Sequence, residues 1–132
     1  MTDPAAPAPD RRELGREGEA LAEAHLVGLG YQVLGRNHRT RRGEVDLICR
    51  EGDVICFVEV RSRADERHGS PLETVGPAKA RRVVAAATDW AWRHGKLEAA
   101  LRFDVVSVVR GEGEPRLTLV RDAFDAQGRP VP

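Results

Sequence analysis

The sequence predicts a single α/β domain in which helices flank a central mixed β-sheet, with the element order α-β-β-β-α-β. Two segments, residues 11–29 and 77–94, have the apolar spacing of amphipathic helices. Between them, residues 43–63 contain two runs rich in Val and Ile joined by a turn, which is typical of a β-hairpin. A further alternating run, residues 101–109, follows the second helix. Hairpin strands combined with flanking helices indicate the α/β class.

Composition bounds the class of protein further. The 132 residues suffice for one core, and 41% hydrophobic with 32% charged residues fits a globular domain. No apolar run approaches the roughly 20 residues of a membrane span, and the start MTDPAAPAPD lacks the features of an export signal. We therefore expect a cytoplasmic protein that does not enter membranes. Two cysteines provide no disulfide framework.

The first helix is expected over residues 11–29, with Asp10 as its N-cap and Gly30 as its stop signal. The Pro- and Ala-rich residues 1–10 before it are predicted to be a disordered tail. The apolar stripe of the helix comprises Leu14, Leu21, Ala22 and Leu29. At about 100° per residue, Glu19 lies at the edge of this stripe, so its carboxylate is expected to lean toward the sheet. A solvated helix glutamate is the alternative.

The hairpin carries two carboxylates within apolar strands. Side chains of a strand alternate between its two faces. With a two-residue loop (residues 51–52) or a four-residue loop, Asp46 and Glu59 fall on the same face, and Arg61 joins them. The opposite face of the hairpin is then wholly apolar, which favours this register over a three-residue loop. The charged side chains gather at the end of the hairpin away from its turn.

Carboxylates held this close repel each other, and burial raises the energetic cost. A divalent cation with oxygen ligands, such as Mg²⁺ or Mn²⁺, is the usual remedy. The alternative is a structural network of ion pairs among Glu44, Glu59, Arg61 and Arg63. The pattern of residues alone leaves both interpretations open.

The elements around the hairpin are less regular. A first strand is expected at residues 31–34, extending at most to residue 38, and the basic run 36–42 links it to the hairpin. Residues 64–75 contain Gly, Ser and Pro and are predicted to be a loop. An optional edge strand at residues 116–120 completes a domain spanning residues 11–120, and residues 121–132 are predicted to be a C-terminal tail.

The second helix, residues 77–94, begins at Pro77, a favourable residue for the first helical turn. Val83, Ala87 and Trp90 line one face of it. Lys79 continues this face toward the N-terminus of the helix, where it would point across the sheet to the charged end. Helix N-termini favour phosphate. Lys79 is therefore a candidate contact to a phosphate or a metal-bound water, and a surface lysine is the alternative.

Basic residues surround the acidic hairpin although the net charge of the chain is zero. This arrangement suits a polyanion whose phosphates approach the carboxylates through a metal. The candidate nucleic-acid contacts are Arg39, Arg41, Arg42, Arg63 and Arg82. Solvated loops are the alternative for each basic run.

The ordered set of Asp46, an apolar hairpin and Glu59-Val60-Arg61 resembles the PD-(D/E)-x-K signature of the restriction-endonuclease-like nucleases. Residues 43–46 (GEVD) and 57–61 (FVEVR) are more similar still to the YraN-type bacterial family. The similarity runs from about Leu14 to Val109 and includes Gly18-Glu19, Gly30-Tyr31, Asn37, Lys79 and Arg102-Phe103-Asp104. Within the last motif, Asp104 is expected to be structural, paired with Arg102 or with a loop.

The resemblance implies a restriction-endonuclease-like core and a metal-dependent endonuclease that hydrolyses phosphodiester bonds, with DNA favoured over RNA. In that superfamily the residues matching Asp46 and Glu59 bind Mg²⁺ or Mn²⁺, helped by the carbonyl matching that of Val60, and Glu19 is the candidate third carboxylate. The implied catalytic set is Asp46, Glu59, Arg61 and Lys79. Related junction-cleaving enzymes suggest a homodimer.

Arginine at position 61 departs from the superfamily pattern, which has lysine there. Lysine can lose its proton when desolvated, whereas arginine effectively cannot. Arg61 can therefore clamp a phosphate but cannot act as a general base, and Lys79 is the only nearby substitute. Two other functions stay open: a non-catalytic nucleic-acid-binding or adaptor domain on the same fold, and a protein-interaction module.

Overall fold

The fold is the α/β arrangement that the sequence predicts, with the optional last strand present. The computed structural model of the chain describes residues 11–64 and 75–132, residues 11–14 through their backbone. Its elements are α1 (Arg11–Gly28), β1 (Gln32–Thr40), β2 (Gly43–Glu51), β3 (Val54–Arg63), α2 (Pro77–Arg93), β4 (Ala100–Val109) and β5 (Arg116–Phe124). The predicted N-terminal tail, the N-cap at Asp10 and most of the 64–75 loop lie outside the described residues. Neither described helix has the length and apolar character needed to span a membrane.

The five strands form one mixed sheet in the order β1-β2-β3-β4-β5. The β1–β2, β2–β3 and β4–β5 pairs are antiparallel, whereas β3 and β4 are parallel. A parallel pair needs a crossover connection, and this connection contains α2. The two helices cover opposite faces of the sheet. Alternate residues of β3 point to opposite faces, and they pack in two separate hydrophobic clusters, one with α2 and one with α1.

The cluster beside α2 contains most of the aromatic side chains. Phe57 packs edge-on against Trp90, with ring centroids 5.9 Å apart, and stacks on Phe103 at 5.8 Å. Val83 and Ala87 are buried in the same cluster, which confirms the predicted inner face of the second helix. This packing fixes α2 on the sheet, so the N-terminal end of the helix is held in place as well.

The hairpin has a two-residue loop, as the sequence predicts, but the loop residues are Gly52 and Asp53, because Glu51 pairs with Val54. The assignment to residues 51–52 is therefore wrong by one position. Gly52 has a φ of 59°, a left-handed conformation that glycine adopts at little cost. The loop thus forms where the backbone can turn most easily.

Cys49 and Cys56 face each other across the hairpin, and both are buried and free. Burial raises the pKa of each thiol to about 12, so both are protonated at neutral pH. They act as small core residues.

Strand β1 is longer than predicted, at Gln32–Thr40. Much of the expected basic linker is therefore strand. An edge strand tolerates charged side chains, and here the partners come from both helices. Arg36 Nε lies 2.6 Å from Glu23 Oε1 on α1, and His38 Nε2 lies 2.8 Å from Asp89 Oδ2 on α2. These partners are distant in the sequence, so the local pattern could not reveal the strand.

The predicted C-terminal tail begins too early, because β5 continues to Phe124. Phe124 is buried, and its ring centroid lies 5.2 Å from that of Phe103. The alternation of β5 is interrupted by Asp122, which has a φ of 54° at the point where the β4–β5 register shifts. Such an irregularity bends a strand. It returns the chain to the core after the pattern of residues has become polar.

The prediction that Leu29 belongs to the apolar stripe of α1 is wrong. This residue follows the helix and is 47% exposed, whereas Leu26 and Ala22 are fully buried against the sheet. Gly30 has a φ of 97°, which confirms it as the stop signal of the helix.

Asp104 is structural, as predicted, and is the centre of a buried polar network beside α1. Arg102 donates to Asp104 at 2.8 and 2.9 Å, the Tyr31 hydroxyl donates to Asp104 Oδ2 at 2.9 Å, and the Asp122 N–H donates to Oδ1 at 2.9 Å. Arg102 also donates to Glu51 at 2.8 Å. A fully satisfied buried network of this kind specifies one arrangement of the elements it joins.

Candidate functional site

Asp46 and Glu59 meet where the pairing of β2 and β3 stops. The last paired residues of the hairpin are Leu47 and Val58, and the two carboxylates follow at the next position of each strand. In place of a further backbone bond, Asp46 Oδ2 accepts a hydrogen bond from the Val60 N–H at 2.7 Å. The N–H and C=O of one strand residue point to the same edge, so the Val60 carbonyl is directed to this side as well.

Strand β2 departs from regular alternation at Asp46. Val45 packs in the cluster beside α2, whereas Leu47 packs in the cluster beside α1. Residues two apart on a regular strand share a face, so the prediction of one apolar face containing both residues is wrong at Val45. The departure directs Asp46 toward α1, while Glu59 stays on the side of α2.

Asn37 provides the matching irregularity on β1. Its φ is 50°, which is uncommon for any residue except glycine. The pairs Arg36–Leu47 and His38–Val45 place Asn37 opposite Asp46. The two strands therefore deform together at the position of the carboxylate.

Helix α1 brings a third carboxylate to the same place. Glu19 lies within hydrogen-bonding contact of Asp46, and Asp46 has the same contact with Glu59. Glu19 therefore leans toward the sheet, as its place at the edge of the apolar stripe predicts. Three carboxyl groups from three different elements form one chain of contacts.

Burial raises the pKa of all three carboxyl groups. Desolvation, followed by the charge of Asp46, raises the pKa of Glu59 to about 8. The same two causes raise the pKa of Glu19 to about 7, and desolvation raises the pKa of Asp46. Groups in such close contact share protons and titrate as a set. Near neutral pH this set retains protons that isolated carboxyl groups would have lost.

The two oxygens of Glu59 have different surroundings. Oε1 lies 3.4 Å from Lys79 Nζ, whereas Oε2 is buried without a hydrogen-bond partner among the described residues. A buried carboxylate oxygen without a partner is costly. A bound cation would satisfy this oxygen.

One open cleft of about 720 Å³ brings the predicted site together. Its lining includes the four residues of the predicted catalytic set and the third carboxylate, namely Asp46, Glu59, Arg61, Lys79 and Glu19. Lys79 lies in the first turn of α2, with its side chain 37% exposed. The charge of Arg61 acts to lower the pKa of Glu59, which places its guanidinium near the same carboxylate.

Glu44 also lines the cleft, and it was not among the predicted site residues. Its Oε2 lies 3.3 Å from Arg39 Nε at the exposed rim. A signal was present in the sequence, because Glu44 precedes Asp46 by two positions, the spacing that puts side chains on one face of a strand. The cleft thus contains four carboxylates rather than three.

Two glycines allow the helices to approach the sheet at the site. A Cβ atom on Gly18 of α1 would overlap the side chain of Ser62 on β3. A Cβ atom on Gly43 of β2 would overlap the backbone carbonyl of Arg82 on α2. Each glycine directly precedes a carboxylate of the cleft in the sequence. The absence of a side chain at these positions therefore allows α1 and α2 to lie close to the strands on either side of the cleft.

We expect Gly18→Ala to lower the free energy of unfolding by about 1–2 kcal/mol. The added methyl group must displace Ser62, whose hydroxyl is buried without a partner among the described residues. Urea denaturation measures the loss. The double variant Gly18→Ala/Ser62→Ala should recover part of it, because the overlapping hydroxyl is then absent. Equal losses in the single and double variants would contradict this account of the contact.

The predicted nucleic-acid contacts do not all lie in the cleft. Arg39 stands at its rim, beside Glu19. Arg41 and Arg42 form the turn between β1 and β2 and line a separate groove on the far side of that turn. Arg82 is exposed on α2, and Arg63 ends β3. None of these five arginines is among the described residues that line the cleft.

Among the described residues, no group of three or more His, Cys, Asp or Glu side chains is arranged so that it could hold a metal ion. Glu19, the predicted third carboxylate, is therefore not placed as a ligand together with Asp46 and Glu59. Magnesium commonly takes one or two carboxylates and completes its shell with water and substrate phosphate oxygens. Asp46 and Glu59, an oxygen-only pair with one unsatisfied oxygen, fit that kind of partial site. They do not fit a closed structural site.

Comparison with known proteins identifies the family. The sequence profile of the uncharacterised protein family UPF0102 matches residues 18–108. The chain belongs to the UPF0102 family. It is 62% identical over 130 residues to a UPF0102 protein of Anaeromyxobacter sp. (strain Fw109-5), covering 98% of both chains. It is 65% identical over 120 residues to one of Anaeromyxobacter dehalogenans, covering 91% and 90% of the two chains. It is 41% identical over 117 residues to one of Geotalea uraniireducens, covering 88% and 92%.

The UPF0102 family is the YraN-type family to which the hairpin residues are similar, so the match confirms that prediction. The matched region begins at Gly18. Gly15 also lines the cleft, and the match contains all the other described residues of the lining. The family description names no activity, so the function of this UPF0102 protein has to be argued from the chemistry of the cleft.

Proposed function

We propose that the protein is a Mg²⁺- or Mn²⁺-dependent endonuclease that hydrolyses phosphodiester bonds in DNA. One observation carries the proposal. Glu59 is 2% exposed, and one of its oxygens has no hydrogen-bond partner among the described residues. Its carboxyl group contacts that of Asp46, and the pKa of each is raised. A protein that only needed a stable sheet end would be expected to have apolar residues here.

Asp46 and Glu59 would hold the cation, with the Val60 carbonyl as a further oxygen donor. A bound Mg²⁺ or Mn²⁺ would polarise the phosphoryl group and lower the pKa of a water molecule. The protein prepares this site in two ways. The Val60 N–H fixes the orientation of Asp46, and the walls supplied by α1 and α2 limit the space around the carboxylates.

Two positively charged side chains line the cleft beside the carboxylates. Lys79, close to Glu59 in the first turn of α2, can hold a phosphate oxygen together with the free N–H groups of the helix N-terminus. Arg61 can bind phosphate with two donors but cannot accept a proton. We assign both side chains to holding and neutralising the scissile phosphate.

The zero net charge of the chain means that no overall field attracts DNA. Local charge has to do so. Arg39 at the rim is 73% exposed, and Arg41, Arg42 and Arg82 are exposed nearby. A duplex or branched DNA could contact these side chains while one phosphate enters the cleft.

The experiment is a cleavage assay with labelled duplex, single-stranded, flap and four-way-junction DNA, in Mg²⁺, Mn²⁺ or EDTA. Cleavage in either metal should fall by about two orders of magnitude or more in Asp46→Asn and in Glu59→Gln. Glu98→Gln, at an exposed carboxylate outside the cleft, is the matched control and should cleave like the wild type. Cleavage that survives in EDTA or in both variants would overturn the proposal.

A second candidate is a nucleic-acid-binding domain without catalysis, which the arginine at position 61 favours. Its expected result is salt-dependent DNA binding that persists in Asp46→Asn and Glu59→Gln without cleavage of any substrate. Replacing Arg61 by lysine separates the two candidates further. A gain of cleavage in Arg61→Lys would show that the cleft is complete apart from this one side chain.

A further inference from the structure

A second groove lies outside the carboxylate cleft, between the β1–β2 turn and the exposed face of α2. Its volume is about 440 Å³, and its lining includes Arg41, Arg42, Trp92 and Leu97. Trp92 is 67% exposed and Leu97 is 48% exposed. Both side chains line the same groove, and adjoining exposed apolar side chains commonly mark a binding surface.

The two tryptophans of α2 have opposite roles. Trp90 is 6% exposed and packs against Phe57 and His94. Trp92, two residues later, turns its indole to solvent on the other side of the helix. The core therefore requires the first tryptophan and leaves the second available to a ligand.

The charge of the groove favours an anionic ligand. Arg41 and Arg42 are exposed, and neither is paired with a carboxylate among the described residues. Asp89 is the single acidic residue in the described lining. Its carboxylate is already engaged by two side chains, because Oδ2 lies 2.8 Å from His38 Nε2 and 2.9 Å from Arg93 Nε. The free charge of the groove is therefore positive.

The groove adjoins the cleft. The turn that carries Arg41 and Arg42 continues directly into Gly43 and Glu44, and Glu44 lines the cleft. Lys79 of the cleft and Trp92 of the groove lie on the same helix, about 20 Å apart along its axis at 1.5 Å per residue. A DNA strand that leaves the cleft along the β1–β2 turn would reach Trp92 within a few nucleotides.

We propose that this groove binds an unpaired stretch of a DNA strand, with one base stacked on the indole of Trp92 and the flanking phosphates on Arg41 and Arg42. Stacking requires an exposed base face, which a paired duplex does not offer. The inference rests on the proposed nuclease function for the identity of the polymer, and it narrows the substrate to DNA with a single-stranded segment.

Binding is tested separately from cleavage, with the full chain in EDTA. The anisotropy of a labelled oligo(dT) reports affinity, and quenching of intrinsic tryptophan fluorescence reports stacking. Trp92→Ala should weaken binding of the single strand by about fivefold or more and abolish the quenching, whereas Trp92→Phe should retain most of the affinity. A double Arg41→Ala/Arg42→Ala variant should weaken binding and reduce its dependence on salt.

The controls remove comparable groups elsewhere on the surface. Leu29→Ala removes an exposed apolar side chain, and Arg129→Ala removes an exposed arginine, 71% accessible, from the C-terminal segment. Both should bind oligo(dT) like the wild type. Binding of a blunt duplex should not change in Trp92→Ala.

Two results would overturn the inference. The first is unchanged single-strand binding in Trp92→Ala. The second is a loss of concentration-dependent self-association in Trp92→Ala with DNA binding unchanged, which would make the groove a protein–protein surface. Failure of the nuclease proposal looks different, because the stacking effects then persist although no substrate is cleaved in any metal.

Discussion

In metal-free buffer at pH 8, the Glu59→Gln variant should melt at a higher temperature than the wild type, by about 5 °C or more. At pH 5 the two proteins should melt at nearly the same temperature. The pKa of Glu59 is raised to about 8 in the folded protein from its ordinary value of 4.5. The folded state therefore binds more protons than the unfolded state between these values, and stability falls as pH rises through this window. Glutamine keeps the shape of the side chain and has no charge to desolvate.

A tenfold change in the acid dissociation constant corresponds to about 1.4 kcal/mol, so the buried carboxylate of Glu59 costs the folded protein on the order of 2–4 kcal/mol at pH 8. Thermal melts in EDTA across this pH range measure the difference. Glu98→Gln is the control, since its carboxylate is exposed, and it should follow the wild type at every pH. If the difference in melting temperature between wild type and Glu59→Gln is the same from pH 5 to pH 8, ionisation of Glu59 does not destabilise the folded protein.

The same melts test for a cation without relying on activity. Because a cation binds deprotonated carboxylates, added Mg²⁺ or Mn²⁺ should raise the melting temperature of the wild type at pH 8 more than at pH 5. The increase should be absent in Glu59→Gln. A wild type that shows no increase in either metal at pH 8 would argue that the carboxylates have another role.

The Gly43→Ala variant should lose about 3 kcal/mol or more of unfolding free energy, which is more than the loss expected for Gly18→Ala. Gly43 is buried, and an added methyl group would overlap the carbonyl group of Arg82 inside α2. A helix backbone cannot move aside as a side chain can. The turn before it is also fixed, because Thr40 Oγ1 accepts a hydrogen bond from the Gly43 N–H and donates one to the Gly43 carbonyl, each at 3.2 Å.

Gly28→Ala is the matched control, because a Cβ atom there meets nothing within 4 Å. It should be neutral or slightly stabilising, since alanine favours a helix over glycine. Urea denaturation of the three alanine variants gives the ranking. If Gly43→Ala is as stable as Gly28→Ala, α2 does not lie against the start of β2 in the way described, and the wall of the cleft beside Lys79 is not rigid.

Much of the fold follows from patterns within short segments. The hairpin, the inner face of α2 and the stop of α1 at Gly30 were all predicted, because alternation, helical spacing and glycine signals act between neighbouring residues. The errors lie where distant contacts override such patterns. Arg36 and His38 are strand residues because α1 and α2 supply their partners. Phe124 belongs to the core because the chain bends at Asp122.

The sequence by itself determined the family and predicted which side chains would gather at one end of the sheet. Asp46 and Glu59 stand at the far end of the hairpin and Lys79 in the first turn of α2, and the structure places all three in one cleft. The tertiary structure alone decided how these side chains meet. Desolvation, the unsatisfied oxygen of Glu59 and the contact with Glu19 arise only when α1 and α2 pack on the strands. The physical reason is that charge patterns are encoded locally, whereas burial depends on elements far apart in the chain.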